Sequence, residues 1–214
     1  MTDSNDQVSR RGFLGQFLAT TLAAALINAH GFLKGRGWVE GLEAAPLDLI
    51  HDTFNGLLAF VVPGPDPYSA AQGVSTDEAG GVDVGATDVL ISTLDGSTPF
   101  LRQFSAIVAA TLNGLAQAVN PSASGPFQSP FANLSFAEKV GVFEIMDGND
   151  SLRALAGVLP AFVAFFCYSE AGAFDPATRT LASEPLGWRL SNYQGVADGR
   201  DEFLGYFPDR RQPR

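Results

Sequence analysis

The stretch 152–168, LRALAGVLPAFVAFFCY, is the most apolar run beyond the N-terminus, and it constrains the fold more than any other part of the chain. Leu152, Leu155, Leu159, Phe162 and Phe166 recur at helical spacing, and Val158, Val163 and Phe165 widen the apolar face until little of the circumference is polar. A helix of this kind is expected to be buried on nearly all sides, with the other helices packed around it. It is too short to span a membrane, since the apolar part runs only from Leu155 to Tyr168 and a bilayer core needs roughly 20 residues. Pro160 removes a helical donor and crowds the preceding turn, which predicts a bend near 156–160.

The remaining pattern is also helical. Leu47, Ile50, Phe54, Leu57, Leu58 and Val61 form one face of a helix that Pro46 opens from the first helical position and Pro63-Gly64-Pro65 closes. Residues 63–83 are rich in Gly, Pro and small polar side chains and predict a long loop; loops of that length inside a compact domain tend to be functional or mobile. A short helix is expected over 86–94. A second starts at Thr98-Pro99 as cap and first residue and carries Phe100, Phe104, Ile107, Val108, Leu112, Leu115 and Val119 as far as Asn120-Pro121.

A loop over 121–134 leads to Ser135-Phe136-Ala137-Glu138, a capping box that opens a helix to about Met146. Asp147-Gly148-Asn149-Asp150 is then a turn that lacks the acidic spacing of a calcium loop. No alternating β pattern of convincing length occurs. The expectation is an all-α fold, a compact helical bundle with long Gly/Pro-rich loops over 46–214 and an irregular aromatic C-terminal segment.

Charge narrows the partners. The chain of 214 residues carries a formal charge of −10 and only two lysines, Lys34 and Lys139, so nucleic acid is excluded as a partner, because phosphate binding needs clustered cations. The acidity is concentrated: residues 41–101 contain Asp and Glu but no Lys or Arg, either a solvated face or a docking surface for a basic partner. Cys167 is the only cysteine, which rules out an intramolecular disulfide, a CxxCH haem attachment and a multi-cysteine metal site within the chain. Among Phe165, Phe166 and Tyr168 it reads as a small buried apolar residue.

Catalytic equipment is not legible. The histidines are His30 and His51; His51 stands beside Asp52 on the first helix, but there is no GxSxG elbow, no GxGxxG after a strand and no P-loop. The acidic pairs Asp77-Glu78 and Asp201-Glu202 are adjacent in sequence and not placed to work across a cleft. No catalytic, cofactor-binding or metal-ligating residue is assigned.

The most specific motif lies at the N-terminus. Ser9-Arg10-Arg11-Gly12-Phe13-Leu14 follows a polar leader and precedes the apolar segment 13–29, which resembles a twin-arginine (Tat) export signal with Arg10, Arg11, Phe13 and Leu14 as its core. Paired arginines at a helix N-terminus would oppose its macrodipole, which argues against an ordinary helix there. Residues 1–29 are read as the signal and 30–45 as a Gly-rich linker. The Ile27-Asn28-Ala29 cleavage site is mediocre, so an uncut signal acting as a membrane anchor stays open. Location is expected to be periplasmic or otherwise extracytoplasmic.

The leader, the first helix ending NGLLAFVVPGPD, the stretch GGVDVGATDVLISTLD, FAEKVGVFEIMDG, the helix ending AFVAFFCYSEAGAF and the final PLGWRLSNYQG together resemble the small subunit (subunit 3) of gluconate 2-dehydrogenase-type flavoprotein dehydrogenases. That resemblance implies a chain without a cofactor of its own. It would bind a larger, FAD-containing oxidoreductase subunit and carry it through the Tat translocase, with room for a cytochrome c subunit in the same complex. Trp188, Tyr193, Tyr206 and Phe207 lie in a poorly periodic segment; they either fold back over the core or present aromatic anchors to a partner. A freestanding exported helical protein that holds a small apolar ligand between its helices is the alternative, prompted by the 17 phenylalanines.

Overall fold

In a computed structural model, the structure describes residues 35, 46–96, 104–170, 173–175, 177–178 and 180–193. The export residues Arg10, Arg11, Phe13 and Leu14, the Thr98-Pro99 cap with Phe100, and Tyr206 and Phe207 lie outside the described residues.

The fold is all-α. Helices α1 (Leu47–Val61), α2 (Pro67–Ala71), α3 (Ala86–Gly96), α4 (Phe104–Val119), α5 (Phe136–Asp147), α6 (Arg153–Tyr168) and α7 (Leu186–Leu190) are joined by loops. The strands among the described residues are two two-residue pieces, β1 (Phe174–Asp175) and β2 (Thr180–Leu181), paired antiparallel with Phe174 opposite Leu181. Helix α1 packs against α2, α3, α4 and α6, while α5 packs on α4 and α6, and α7 lies on α6.

Helix α6 is a core helix, packed against α1, α3, α5 and α7, but it is not buried on nearly all sides. Helix α6 buries Leu155, Leu159, Phe162, Val163, Phe166 and Cys167, but Arg153, Ala154, Gly157, Ala161 and Tyr168 are exposed. Its apolar character continues around the circumference because the outward positions are Ala and Gly, whose small surfaces cost little to leave in water. Helix α4 is buried more completely: Phe104, Ala106, Ile107, Val108, Ala109, Leu112, Leu115 and Ala116 are joined inside by Ser105, Thr111 and Asn113. The chain continues as one helix through Pro160.

Helix starts depend on side-chain oxygens. Ser135 accepts from the Glu138 amide while Glu138 accepts from the Ser135 amide, the reciprocal box expected from the sequence. Both carboxylate oxygens of Asp95, at the end of α3, accept from Ser105, one from its amide and one from its hydroxyl, which secures the first turn of α4. Pro46 is the residue before α1 rather than its first, one position earlier than expected.

The 63–83 segment is not a featureless loop. Asp66 caps the one-turn helix α2 by accepting from the amides of Tyr68 and Ser69, and Pro67 supplies the first helical position. Gly64 and Gly80 interlock so closely that a Cβ on Gly80 would stand 2.5 Å from the Gly64 nitrogen. This pinch brings the two ends of the segment together. Thr76 spans the same neck, its amide donating to the Gly64 carbonyl and its hydroxyl to that of Pro63.

Candidate functional site

Three places on the folded domain carry more polar or aromatic chemistry than packing requires. The first is a cleft of about 380 Å³ beside the start of α1, lined by Leu47, Asp48, His51, Asp52, Asn55, Tyr68, Pro126, Phe127 and Gln128. The helical spacing of 48, 51, 52 and 55 turns these four polar side chains to one side of α1. The opposite wall is Tyr68 stacked on Phe127, with ring centroids 3.9 Å apart. The Tyr68 hydroxyl donates to Asp52 at 2.6 Å, and the Gln128 amide donates to the other Asp52 oxygen at 2.7 Å.

Burial, reinforced by the neighbouring Asp52 carboxylate, pushes the Tyr68 phenol up to about 12, so it is a proton donor at neutral pH and not a base. His51 is partly exposed and sits 3.7 Å from Asp88 of α3. Its only charged neighbour in that ion pair is itself largely in water, an arrangement that contributes little and resembles a surface contact more than a catalytic dyad. Most of the lining is polar or acidic, which does not suit a small apolar ligand.

The loop that supplies Phe127 is held by a buried polar knot. Asn113 of α4 donates to the Thr53 hydroxyl at 2.9 Å and accepts from the Ser129 hydroxyl at 2.7 Å and the Phe131 amide at 3.1 Å. Thr53 in turn donates to the Leu49 carbonyl of its own helix. The knot fixes the path of 126–132 and holds Phe131, fully buried, in the core.

The second place is Lys139. Its residue is fully buried on α5, yet among the described residues its amine contacts no carboxylate: it donates to the Gln72 side-chain carbonyl at 2.8 Å and to the Gly56 backbone carbonyl at 3.1 Å, and lies 5.4 Å from the centre of the Phe131 ring. Removal from water pushes the amine down to about 7, and Asp66 opposes that shift only in part. Helix α5 is inverted relative to a simple amphipathic pattern. It buries Lys139 with Val142 and Met146 while Phe136 and Ile145 remain exposed. Phe136 and Phe143 flank Phe60 of α1, at 5.1 and 5.2 Å between ring centres. Sequence reading missed Lys139; the available signal was the weak amphipathicity of 136–147 together with the scarcity of lysine.

The third place is the end of α6 where α7 folds over it. The backbone of Gly187 passes so near that of Tyr168 that a Cβ would meet it at 3.1 Å. Trp188 is half-buried and Tyr193 exposed, with their rings edge to face at 5.2 Å, and Tyr168 is 64 % exposed. Leu186 is buried, while Tyr168 and Tyr193 face solvent. Neither α6 nor α7 contains an Asp or Glu, and the exposed cations among the described residues, Arg153 and Arg189, sit on these two helices.

Among the described residues, no group of three or more His, Cys, Asp or Glu side chains is placed to hold a metal ion, and no helix is long and apolar enough to cross a membrane. Compared with protein-family models, with curated proteins and with solved structures, the chain matches none of them.

Proposed function

We propose that this chain is a non-catalytic small subunit that binds a larger FAD-dependent dehydrogenase of the gluconate 2-dehydrogenase type and escorts it through Tat export. The observation that carries the reading is the α6–α7 end. In a chain with a formal charge of −10, a helix pair without a carboxylate presents Tyr168, Trp188 and Tyr193 at the surface. Exposed aromatic side chains of this kind are among the residue types that dominate protein interfaces. The Ser9-Arg10-Arg11-Gly12-Phe13-Leu14 leader supports the second half of the reading, because Tat export carries folded cargo and is chiefly useful when a cofactor must be inserted before export. A bound holo-partner accounts for such a leader on a chain whose sequence has no dinucleotide, haem or iron–sulfur motif.

The test is a pull-down with the wild-type chain from its native host, followed by a binding titration against the flavoprotein recovered. Trp188→Ala is expected to weaken the complex roughly 30-fold, the equivalent of about 2 kcal/mol at a central anchor, with helical content unchanged. Recovery of no flavoprotein with the wild-type chain would sink the escort reading. Separately, replacing Arg10 and Arg11 together by Lys is expected to strand the complex in the cytoplasm, because the guanidinium pair and not its charge alone is read.

A further inference from the structure

We propose that the cleft at the start of α1 binds a small organic cation, and that a guanidinium group on a short apolar body is the chemistry it fits best. The cleft shares no residue with α6 or α7, so this site is independent of the escort reading.

The cavity holds about 380 Å³, near the lower end of the range of small-ligand sites. Its aromatic wall is the stacked pair Tyr68 and Phe127, one ring from the 63–83 segment and one from the 121–134 loop. A cation against such a wall is attracted by the negative face of the rings, and a planar guanidinium can also stack on it.

The polar wall is Asp48 and Asp52, one helical turn apart on α1. Like charges at this spacing repel, and a cation between them relieves the repulsion. The helix dipole accounts for Asp48 in the first turn, but Asp52 lies beyond it.

Asp52 is fixed in place, because the Tyr68 hydroxyl and the Gln128 amide donate to its two oxygens at 2.6 and 2.7 Å. Each of these oxygens keeps a lone pair free, and Asp48 has no hydrogen bond or ion pair among the described residues. The Asn55 carbonyl is taken by the Thr87 hydroxyl, which leaves the carboxylates as the main acceptors for a ligand. A guanidinium is a fork of N–H donors with no acceptor, the complement of that set.

Other occupants fit less well. Among the described residues no Lys or Arg lines the cleft, and His51 pairs with Asp88 at 3.7 Å. A metal ion lacks a group of three or more His, Cys, Asp or Glu side chains there. An anion would be repelled, and an apolar molecule would strip water from two carboxylates without replacing it.

The test titrates n-butylguanidinium into the full chain at constant pH and ionic strength, followed by amide NMR, with neutral n-butylurea as the control of similar shape. The expected result is saturable binding, with shifts concentrated at 48–55, 68 and 127–128, and urea binding at least about tenfold weaker. Asp48→Asn is expected to weaken binding about threefold to fivefold with melting unchanged, and Phe127→Leu by a similar factor. Asp77→Asn, an exposed acid outside the cleft, should change nothing.

Equal affinity for the urea overturns the proposal, as do shifts that spread over the acidic surface without saturating. So does binding that Asp48→Asn and Phe127→Leu both leave unchanged. Should Phe127→Leu fail to fold, the wild-type shift map and Asp48→Asn decide. The peptide acetyl-Gly-Arg-Gly-amide, titrated alongside, identifies the source of the cation. Tighter binding than n-butylguanidinium assigns the site to an arginine side chain of a protein partner, and equal or weaker binding assigns it to a free small cation.

Discussion

Helices α4 and α6 are equal in length and similarly apolar, yet the fold treats them differently. Helix α4 is enclosed by α1, α3 and α5 and buries polar Ser105, Thr111 and Asn113 along with its aliphatic residues. Helix α6 buries large side chains on one face only and leaves Ala154, Gly157 and Ala161 in water. Apolarity of a helix therefore does not report burial when the apolar residues are small. What separates the two is where the large side chains stand and whether the polar ones have partners. Asn113 stays inside because Thr53, Ser129 and Phe131 satisfy its amide, and Thr111 because its hydroxyl donates to the Ile107 carbonyl.

The comparison can be broken first at the inner faces, where the helices should behave alike. Phe104→Ala on α4 and Phe162→Ala on α6 are each expected to cost about 3–5 kcal/mol in a denaturant melt, because each ring is nearly inaccessible and leaves a cavity. A much smaller loss at Phe162 would mean that α6 is only loosely docked. The difference between the helices appears on adding bulk. Ala109→Leu inside α4 is expected to cost about 1–3 kcal/mol by overpacking, whereas Ala161→Leu on the open side of α6 should change stability by less than about 0.5 kcal/mol. A large cost at Ala161 would show that the outward face is covered in solution.

A further test concerns the helix between them. Ser135→Ala should cost about 1 kcal/mol by removing the cap of α5. The Ser135 amide and hydroxyl hold the Glu138 carboxyl below its usual range, so its share of the stability is present at neutral pH and is lost as pH falls through that lowered value. The melting difference between wild type and Ser135→Ala should accordingly shrink in acid.

Legibility follows the range of the interaction. The Ser135 box, the burial of Cys167 and the buried ring pair Phe162 and Phe166 were all readable, since each follows from local spacing or from a large apolar side chain inside an apolar run. The one-turn helix α2 was not, although Asp66-Pro67 is a cap followed by a proline. A turn of five residues has no periodicity to detect, and surrounding Gly and Pro mask it. The burial of Lys139 was not legible, because nothing local distinguishes a solvated lysine from one whose acceptors lie at Gly56 and Gln72.

By itself the sequence determined the class of fold, most of the helices, the acidity of the 41–101 region and the apolar character of 152–168. These depend on residue type and on periods of three to four residues, which a single chain displays directly. Only the tertiary structure decided that α4 is buried more completely than α6, that Tyr168 joins Trp188 and Tyr193 at one end of the bundle, and that a lysine sits inside with no carboxylate contact among the described residues. Burial is a property of what surrounds a residue, and those surroundings are supplied by segments far away in sequence: Gln72 and Gly56 for Lys139, Gly187 for Tyr168, and Thr53 and Ser129 for Asn113.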